Sequence, residues 1–295
     1  MTAPAAARPL IPPLPAVLIA IVSVQGGAAL AKGLFSALGA AGTAGVRIAL
    51  SALVLVALFR PPLARLTRAQ WRAIVPYGLV LGAMNLTFYL ALERIPLGLA
   101  VTLEFLGPLG VAVLGSRRAL DFVWVALAAA GIALLAPWGG AERPGALDPV
   151  GVLLALFAGA CWAAYILLGG RVSRLFTDGQ GVATGMLFAT LAALPFALAD
   201  GMLGRLTPGL LLAGLGVALL SSALPYVLEM TALRELPSRT FGILMSLEPA
   251  VAALAGLLFL HERLTVLQWL ALAGVSAASA GATLTARRAR APVEA

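Results

Sequence analysis

Ten runs of about twenty apolar residues, separated by short links, restrict what this chain can fold into more than any other feature. They fall at 14–34, 41–59, 72–92, 97–115, 119–137, 149–169, 180–199, 208–231, 238–260 and 264–285. A helix of about 20 residues, rising about 1.5 Å per residue, spans the hydrocarbon core of a bilayer. Of the 295 residues, 61% are hydrophobic and 11% are charged, whereas soluble domains carry about 25% charged residues. That much apolar surface has no water-soluble arrangement, so lipid must solvate most of it. The sequence predicts an all-α polytopic membrane protein with ten transmembrane helices. Arg8, an apolar stretch and "ALA" at 29–31 imitate a cleavable signal peptide. The length of that stretch and the nine runs behind it favour a membrane span.

The formal net charge of +8 does not point to nucleic acid, because the arginines sit between apolar runs and form no basic domain. They read instead as topology signals. With the N-terminus in the cytoplasm, the inner links hold Arg8, Arg60, Arg65, Arg68, Arg72, Arg117, Arg118, Arg171, Arg174, Arg234, Arg239, Arg287, Arg288 and Arg290. The outer links hold only Arg94, Arg143, Arg205 and Arg263. A split of fourteen to four follows the positive-inside rule and puts both termini in the cytoplasm. Soluble chemistry is missing from the sequence. It has no Walker lysine motif, no glycine fingerprint behind a strand and no metal-spaced His/Cys set. No cofactor, metal or enzymatic activity is expected. The single Cys161 sits in an apolar run, and His261 at an outer helix end reads as an interfacial residue.

"ALERIPLG" (91–98) and "ALRELPSR" (232–239) share an Ala-Leu pair, a swapped Glu/Arg pair, an aliphatic and a proline, 141 residues apart. Pro96 to Pro108 spans twelve residues, as does Pro237 to Pro249. Each match joins a run to the next, five runs later the second time. The chain therefore divides into two five-helix repeats, 1–140 and 146–295, around "WGGAERPGALD" at 138–148. Because five is odd, the second repeat enters the membrane inverted. Inverted repeats build many secondary transporters, with the substrate site at mid-membrane on the repeat interface.

The ionisable residues inside the runs that bear on a site are Lys32, Arg47, Glu104, Glu229 and Glu248. Each costs about 2.5–3.5 kcal/mol at a helix centre on insertion scales, so each needs a partner or a watery cavity. Counting residues puts Glu248 near the midplane, with Glu104 and Arg47 entering from the outer side. It brings Lys32 up from the inner side and leaves Glu229 within a turn of the cytoplasmic face. The functional reading is a polar cavity in which the acids hold an ammonium group or a proton and Lys32 or Arg47 meets a carboxylate. The structural alternative is a static pair of Glu104 with Arg47 or Lys32, a capped acid at Glu229, or basic side chains that snorkel outward. In "AVTLEFLGPLGVAV" and "GILMSLEPAVAAL" each acid lies close to a proline, Pro108 or Pro249. A proline frees the carbonyl one turn earlier, which makes both candidate hinges, or simple packing kinks. Gln25, Asn85, Tyr89, Trp162, Tyr165, Ser222 and Tyr226 lie at depths that suit a substrate path, although the aromatics can equally pack between helices. The glycines of "GGAALAKG" and "GLLLAGLG" suit close helix packing.

Four long blocks carry a family resemblance: "SVQGGAALAKGLF", "LERIPLGLAVTLEFLGPLGVAVLGSRRALDFVWV", "GACWAAYILLGGR" and "SSALPYVLEMTALRELPSRTFGILMSLEPA". Together with the ten runs in two halves, they resemble the drug/metabolite transporter superfamily, EamA type, and bacterial exporters of threonine and homoserine within it. The resemblance implies a secondary transporter of the bacterial inner membrane that exports small amino acids, coupled to the proton gradient, without a cofactor. The partners implied are the amino-acid substrate, the lipid bilayer and the proton. Two other readings stay open: a broader amino-acid or metabolite exporter that accepts aromatic substrates, and a non-transporting membrane receptor or assembly protein. Short links leave little room for a recognition domain, which weighs against the receptor.

Overall fold

The computed structural model describes residues 11–114, 119–135, 147–177, 179–236 and 238–285. All regular structure among them is helical. In chain order the helices are α1 (Pro13–Gly33), α2 (Phe35–Phe59), α3 (Arg68–Leu92), α4 (Leu97–Glu104), α5 (Leu106–Leu114), α6 (Ala119–Leu135) and α7 (Pro149–Leu175). Then come α8 (Gln180–Ala199), α9 (Met202–Arg205), α10 (Pro208–Ala218), α11 (Leu224–Glu235), α12 (Ser238–Met245), α13 (Glu248–Leu260) and α14 (Val266–Thr285). Eight helical segments among the described residues are long and apolar enough to cross a bilayer, and Leu97–Val111 forms a shorter apolar helix. Leu153, Leu167, Leu212, Leu258 and Phe259 are more than 60% exposed, a surface that only lipid can solvate. The link proposed to divide the chain, 138–148, falls largely outside the described residues, as do Arg8, Arg117, Arg118, Arg143, Pro237 and the arginines of 287–290.

Helix ends follow local chemistry. Thr67 and Gln70 form a capping box at the start of α3, which satisfies two backbone donors that the helix leaves open. Asp148 caps α7 by accepting from Val150 N. It also pairs with Arg94 at 2.9 Å. The Arg94 hydrogen bond, then the Val150 amide, holds the Asp148 carboxyl below the usual carboxylate range. The first turn of α2 is set off from the rest by Gly39 at φ 73°, ψ 166°, a backbone conformation that glycine tolerates.

Small residues let the helices approach closely. A Cβ on Gly82 of α3 would meet Ala189 O at 2.6 Å, and one on Gly98 of α4 would meet Ala253 Cα at 2.6 Å. These crossings fix α3 on α8 and α4 on α13. Van der Waals fit of this kind is the main attraction between helices in lipid, where hydrophobic burial contributes nothing. The central cluster runs from Ala28 and Ile48 through Tyr89, Leu99 and Leu103 to Ala155, Ala189 and Ala252.

Two of the expected runs prove to be broken helices. The run at 97–115 is α4 and α5, separated at Phe105; the run at 238–260 is α12 and α13, separated at Ser246 and Leu247. Pro249 lies in the first turn of α13, where its missing N–H costs no hydrogen bond. It therefore starts a helix and does not bend one. Leu109 N reaches Phe105 O at 3.2 Å, and Pro108 cannot reach Glu104 O. That carbonyl faces Gly159 of α7, where a Cβ would lie 2.7 Å from it.

Candidate substrate cavity

A cavity of about 260 Å³ opens in the middle of the bundle, lined by side chains from α1, α2, α3, α4, α7, α8, α11, α12 and α13. It is near the lower end of the range for small-molecule sites, about 300–1,000 Å³, and so suits a small metabolite. Nine of the helices converge here because two of them stop here. Glu104 is the last residue of α4 and Glu248 the first of α13, so each helix break delivers a carboxyl to the same space. Glu104 is 8% exposed and Glu248 6%. Among the described residues neither carboxylate forms an ion pair or hydrogen bond.

Arg47 of α2 is the basic residue of the cavity. It is 8% exposed and donates through Nη2 to Asn85 Oδ1. Its guanidinium carbon stands 5.0 Å from the centroid of the Tyr89 ring, a distance at which the ring face attracts a cation. Asn85 is aimed by its own Nδ2, which donates to Leu81 O at 2.7 Å. Arg47 Nε has no hydrogen-bond partner. A buried guanidinium held by an amide and a ring face, with no anion against it, retains donors for a carboxylate.

The remaining sequence candidates divide as follows. Gln25, Asn85, Tyr89, Trp162 and Tyr165 line the cavity, and so do Ser222 and Tyr226. Trp162 packs edge-on to Phe105 at 5.1 Å, and Tyr165 stacks on Tyr77 at 4.8 Å. Ser222 Oγ accepts from Ser51 Oγ at 3.0 Å. Pro108 and Pro249 stay behind the helix breaks and contribute nothing to the lining.

Lys32 requires a correction. Its ammonium does not reach the cavity or Glu104. It binds Glu262 Oε1 at 2.7 Å and Ile95 O at 2.9 Å. Helix α1 ends at Gly33, so Lys32 occupies its last turn, beyond mid-membrane. Glu262 Oε2 accepts from Leu97 N at 2.8 Å. One carboxylate thus binds the end of α1 and the start of α4. The proposed ion pair of Glu104 with Lys32 is excluded by this geometry, and Arg47 makes no such pair either. Glu229 also moves. It lines the cavity with Glu104 and Glu248, because α11 continues to Glu235 and leaves Glu229 well inside the helix.

Sequence reading missed Glu262, which sits in "HER" at 261–263. It also missed Tyr77, and the π-helical turn at Leu219–Ala223 between α10 and α11. The signal for the turn was Pro225, which cannot donate to Ser221 O. Ser23 Oγ of α1 donates to Leu220 O at 2.7 Å and ties this turn to the bundle, and π turns inside helices concentrate at functional sites.

A many-helix membrane bundle with a small cavity at two helix breaks, mostly apolar but holding three carboxyls and a guanidinium, fits a transporter of small solutes. The chain belongs to the EamA-like transporter family of the drug/metabolite transporter superfamily. That family matches residues 149–284. The chain is 48% identical over 276 residues to "Threonine/homoserine exporter RhtA" of Escherichia coli (strain K12), covering 94% of this chain and 92% of the relative. It is equally similar to the protein of that name in Salmonella typhimurium (strain LT2), 48% identical over the same shares. "Uncharacterized transporter YwfM" of Bacillus subtilis is 30% identical over 57% of this chain and 56% of the relative. A solved crystal structure shares the fold with TM-score 0.57 at 21% identity, covering 94% of this chain and 99% of that one.

Proposed function

We propose that this protein is an inner-membrane exporter of small hydroxylated amino acids, L-threonine and L-homoserine, driven by the proton gradient. The observation that carries the reading is the coexistence of Arg47, Glu104 and Glu248 in one cavity of about 260 Å³. A zwitterion needs both signs of charge within a few ångströms. Arg47 provides donors for its carboxylate, and the two carboxyls can hold its ammonium group or a proton. The 48% identity to named threonine/homoserine exporters over 94% of the chain supports the substrate class.

The architecture we infer is ten spans in two inverted five-helix repeats, 1–140 and 146–295. The offset of 141 residues supports it: α4 (Leu97–Glu104) and α12 (Ser238–Met245) are both eight residues long and start at equivalent positions. Pro108 and Pro249 are separated by the same offset. The inferred orientation puts both termini in the cytoplasm. A broader substrate range that includes aromatic amino acids is less well supported, because the Trp162 and Tyr165 rings already pack on Phe105 and Tyr77.

The test is counterflow of labelled threonine in proteoliposomes. Wild type should accumulate label against unlabelled threonine or homoserine. Arg47→Lys keeps the charge but loses the planar fork and should lower apparent affinity by about tenfold or more, the effect of losing one charged hydrogen bond. Absence of counterflow in the wild type would overturn the substrate assignment.

A further inference from the structure

We propose that Tyr77, Tyr165 and Tyr226 form an aromatic aperture that joins the central cavity to a second cavity and limits the size of the solute that passes. The second cavity, of about 310 Å³, lies toward the bundle end that carries Phe176 and Ser173. Val182 and Tyr226 line both cavities. Tyr165 lines only the central one, and Tyr77 only the second. These two rings stack with centroids 4.8 Å apart and planes 27° apart. One ring of the stack therefore belongs to each space, and the partition between them is a single aromatic stack thick. Phe59 of α2 holds Tyr226 edge-on at 6.0 Å.

The backbone frame around these rings is close-packed, and the partition itself is made of side chains. A Cβ on Gly78 would meet Gly185 O at 2.5 Å, so the backbones of α3 and α8 are in contact at this level. Rotation of a side chain is therefore a smaller movement there than parting the helices. Glycines also surround the Tyr77 ring. A Cβ on Gly185 would lie 2.6 Å from Cε1, and one on Gly169 would lie 3.6 Å from Cε2. Gly185 lets the Tyr77 ring lie directly on the α8 backbone, and a methyl at Gly169 would make ordinary contact with the other edge of the ring. A tyrosine moves by two side-chain torsions between staggered wells, which opens the partition without backbone change. At the other end of the bundle the contact of Lys32, Glu262 and Leu97 ties α1 to α4.

The size-selection part of this proposal rests on the transport function proposed above; the existence of the aperture does not. The test therefore has two arms. In the first, Met84, which lines the central cavity, becomes the sole cysteine (Met84→Cys with Cys161→Ala), and reaction with a bulky fluorescein maleimide is compared with a small methanethiosulfonate. Tyr77→Ala and Tyr226→Ala should speed the bulky reagent by about tenfold or more, the scale on which apolar pockets sort by size. Tyr77→Phe should change nothing, and Gly169→Ala should slow the bulky reagent by confining the ring. In the second arm, efflux of phenylalanine relative to threonine should rise in the two alanine variants. Unchanged bulky-reagent rates in both alanine variants would overturn the aperture. Should those variants fail to fold, Gly169→Ala decides alone, and an unchanged rate there overturns it equally. A wild type that does not move threonine would remove the transport reading while the labelling arm still decides the aperture.

Discussion

A guanidinium buried without an anion is unusual, and Arg47 shows how this chain tolerates one. Taking an ion out of water costs several kcal/mol even after relaxation. Asn85 Oδ1 and the Tyr89 ring face recover part of that cost, and the cavity leaves the remaining donors available. Glu104 and Glu248 meet the same space with no fixed partner among the described residues. Their neutralisation should therefore strand no cation. Glu104→Gln and Glu248→Gln are both expected to reach the membrane at wild-type abundance, because each amide removes an acid that costs about 2.5–3.5 kcal/mol to insert. Their transport should differ. Glu248, at the start of α13, is our candidate for the proton site, so Glu248→Gln should lose the response to an imposed pH gradient. Glu104→Gln should keep that response with weakened binding. Vesicle transport with and without a gradient, beside quantified abundance, separates the two. Gradient-driven export by Glu248→Gln at the wild-type rate would remove it from the proton path.

The elements that build the site are the ones that fail to run straight. Depth counting from the sequence found most of the cavity: Gln25, Arg47, Asn85, Glu104, Trp162 and Glu248 all line it. It worked because those positions are set by rise per residue along α1, α2, α3, α4, α7 and α13. It failed at Lys32, which was brought up from the inner side although it lies in the last turn of α1, and at Glu229, where α11 runs past the expected end. The prolines announced the breaks but not their form. A proline specifies which hydrogen bond is missing, not whether the helix bends, restarts or widens into a π turn. Glu262 was illegible for another reason: its partners, Lys32 and the amide of Leu97, are 230 and 165 residues away. Its role at the element level is testable. Glu262→Ala leaves the Lys32 ammonium with Ile95 O alone and a helix N-terminal amide unpaired, whereas Lys32→Met frees a carboxylate that still accepts from Leu97. The first variant should lower stability more than the second, by about 1.5–3 kcal/mol, the net value of the additional charged hydrogen bond. Thermal midpoints of the two variants in detergent decide this, and equal midpoints would show that α4 does not depend on the Glu262 contact.

At the scale of the whole molecule, charge separates the two ends of the bundle. One end is marked by Gln70 of α3 donating to Leu175 O of α7 at 2.8 Å, and Arg60, Arg65, Arg68, Arg72, Arg171 and Arg174 lie there at the ends of α2, α3 and α7. The opposite end is marked by Lys32 meeting Ile95 and Glu262. It carries Arg94, Arg205 and Arg263, and two of these are neutralised: Arg94 by Asp148 at 2.9 Å and Arg205 by Asp200 at 2.6 Å. Among the described residues the arginines of the first end form no ion pair, and the orientation we propose retains that surplus in the cytoplasm. That orientation gives the aromatic partition a direction, since Phe176 and Ser173 of the second cavity belong to the arginine-rich end. The partition then faces the compartment where an exporter loads its solute, and the Lys32–Glu262 contact faces the side of release. Orientation is therefore the assumption on which the proposed direction of transport depends. Alkaline phosphatase is active only outside the cytoplasm and green fluorescent protein fluoresces when folded inside it, so paired fusions after Ala295 report the side independently. The expected result is a fluorescent, phosphatase-inactive C-terminus. A second pair in the link between α8 and α10, after Gly204, should give the reverse, a phosphatase-active and dark fusion. Phosphatase activity at Ala295 would either exchange the loading and release sides or, with an N-terminus inside, require an odd number of spans, which two equal halves cannot supply.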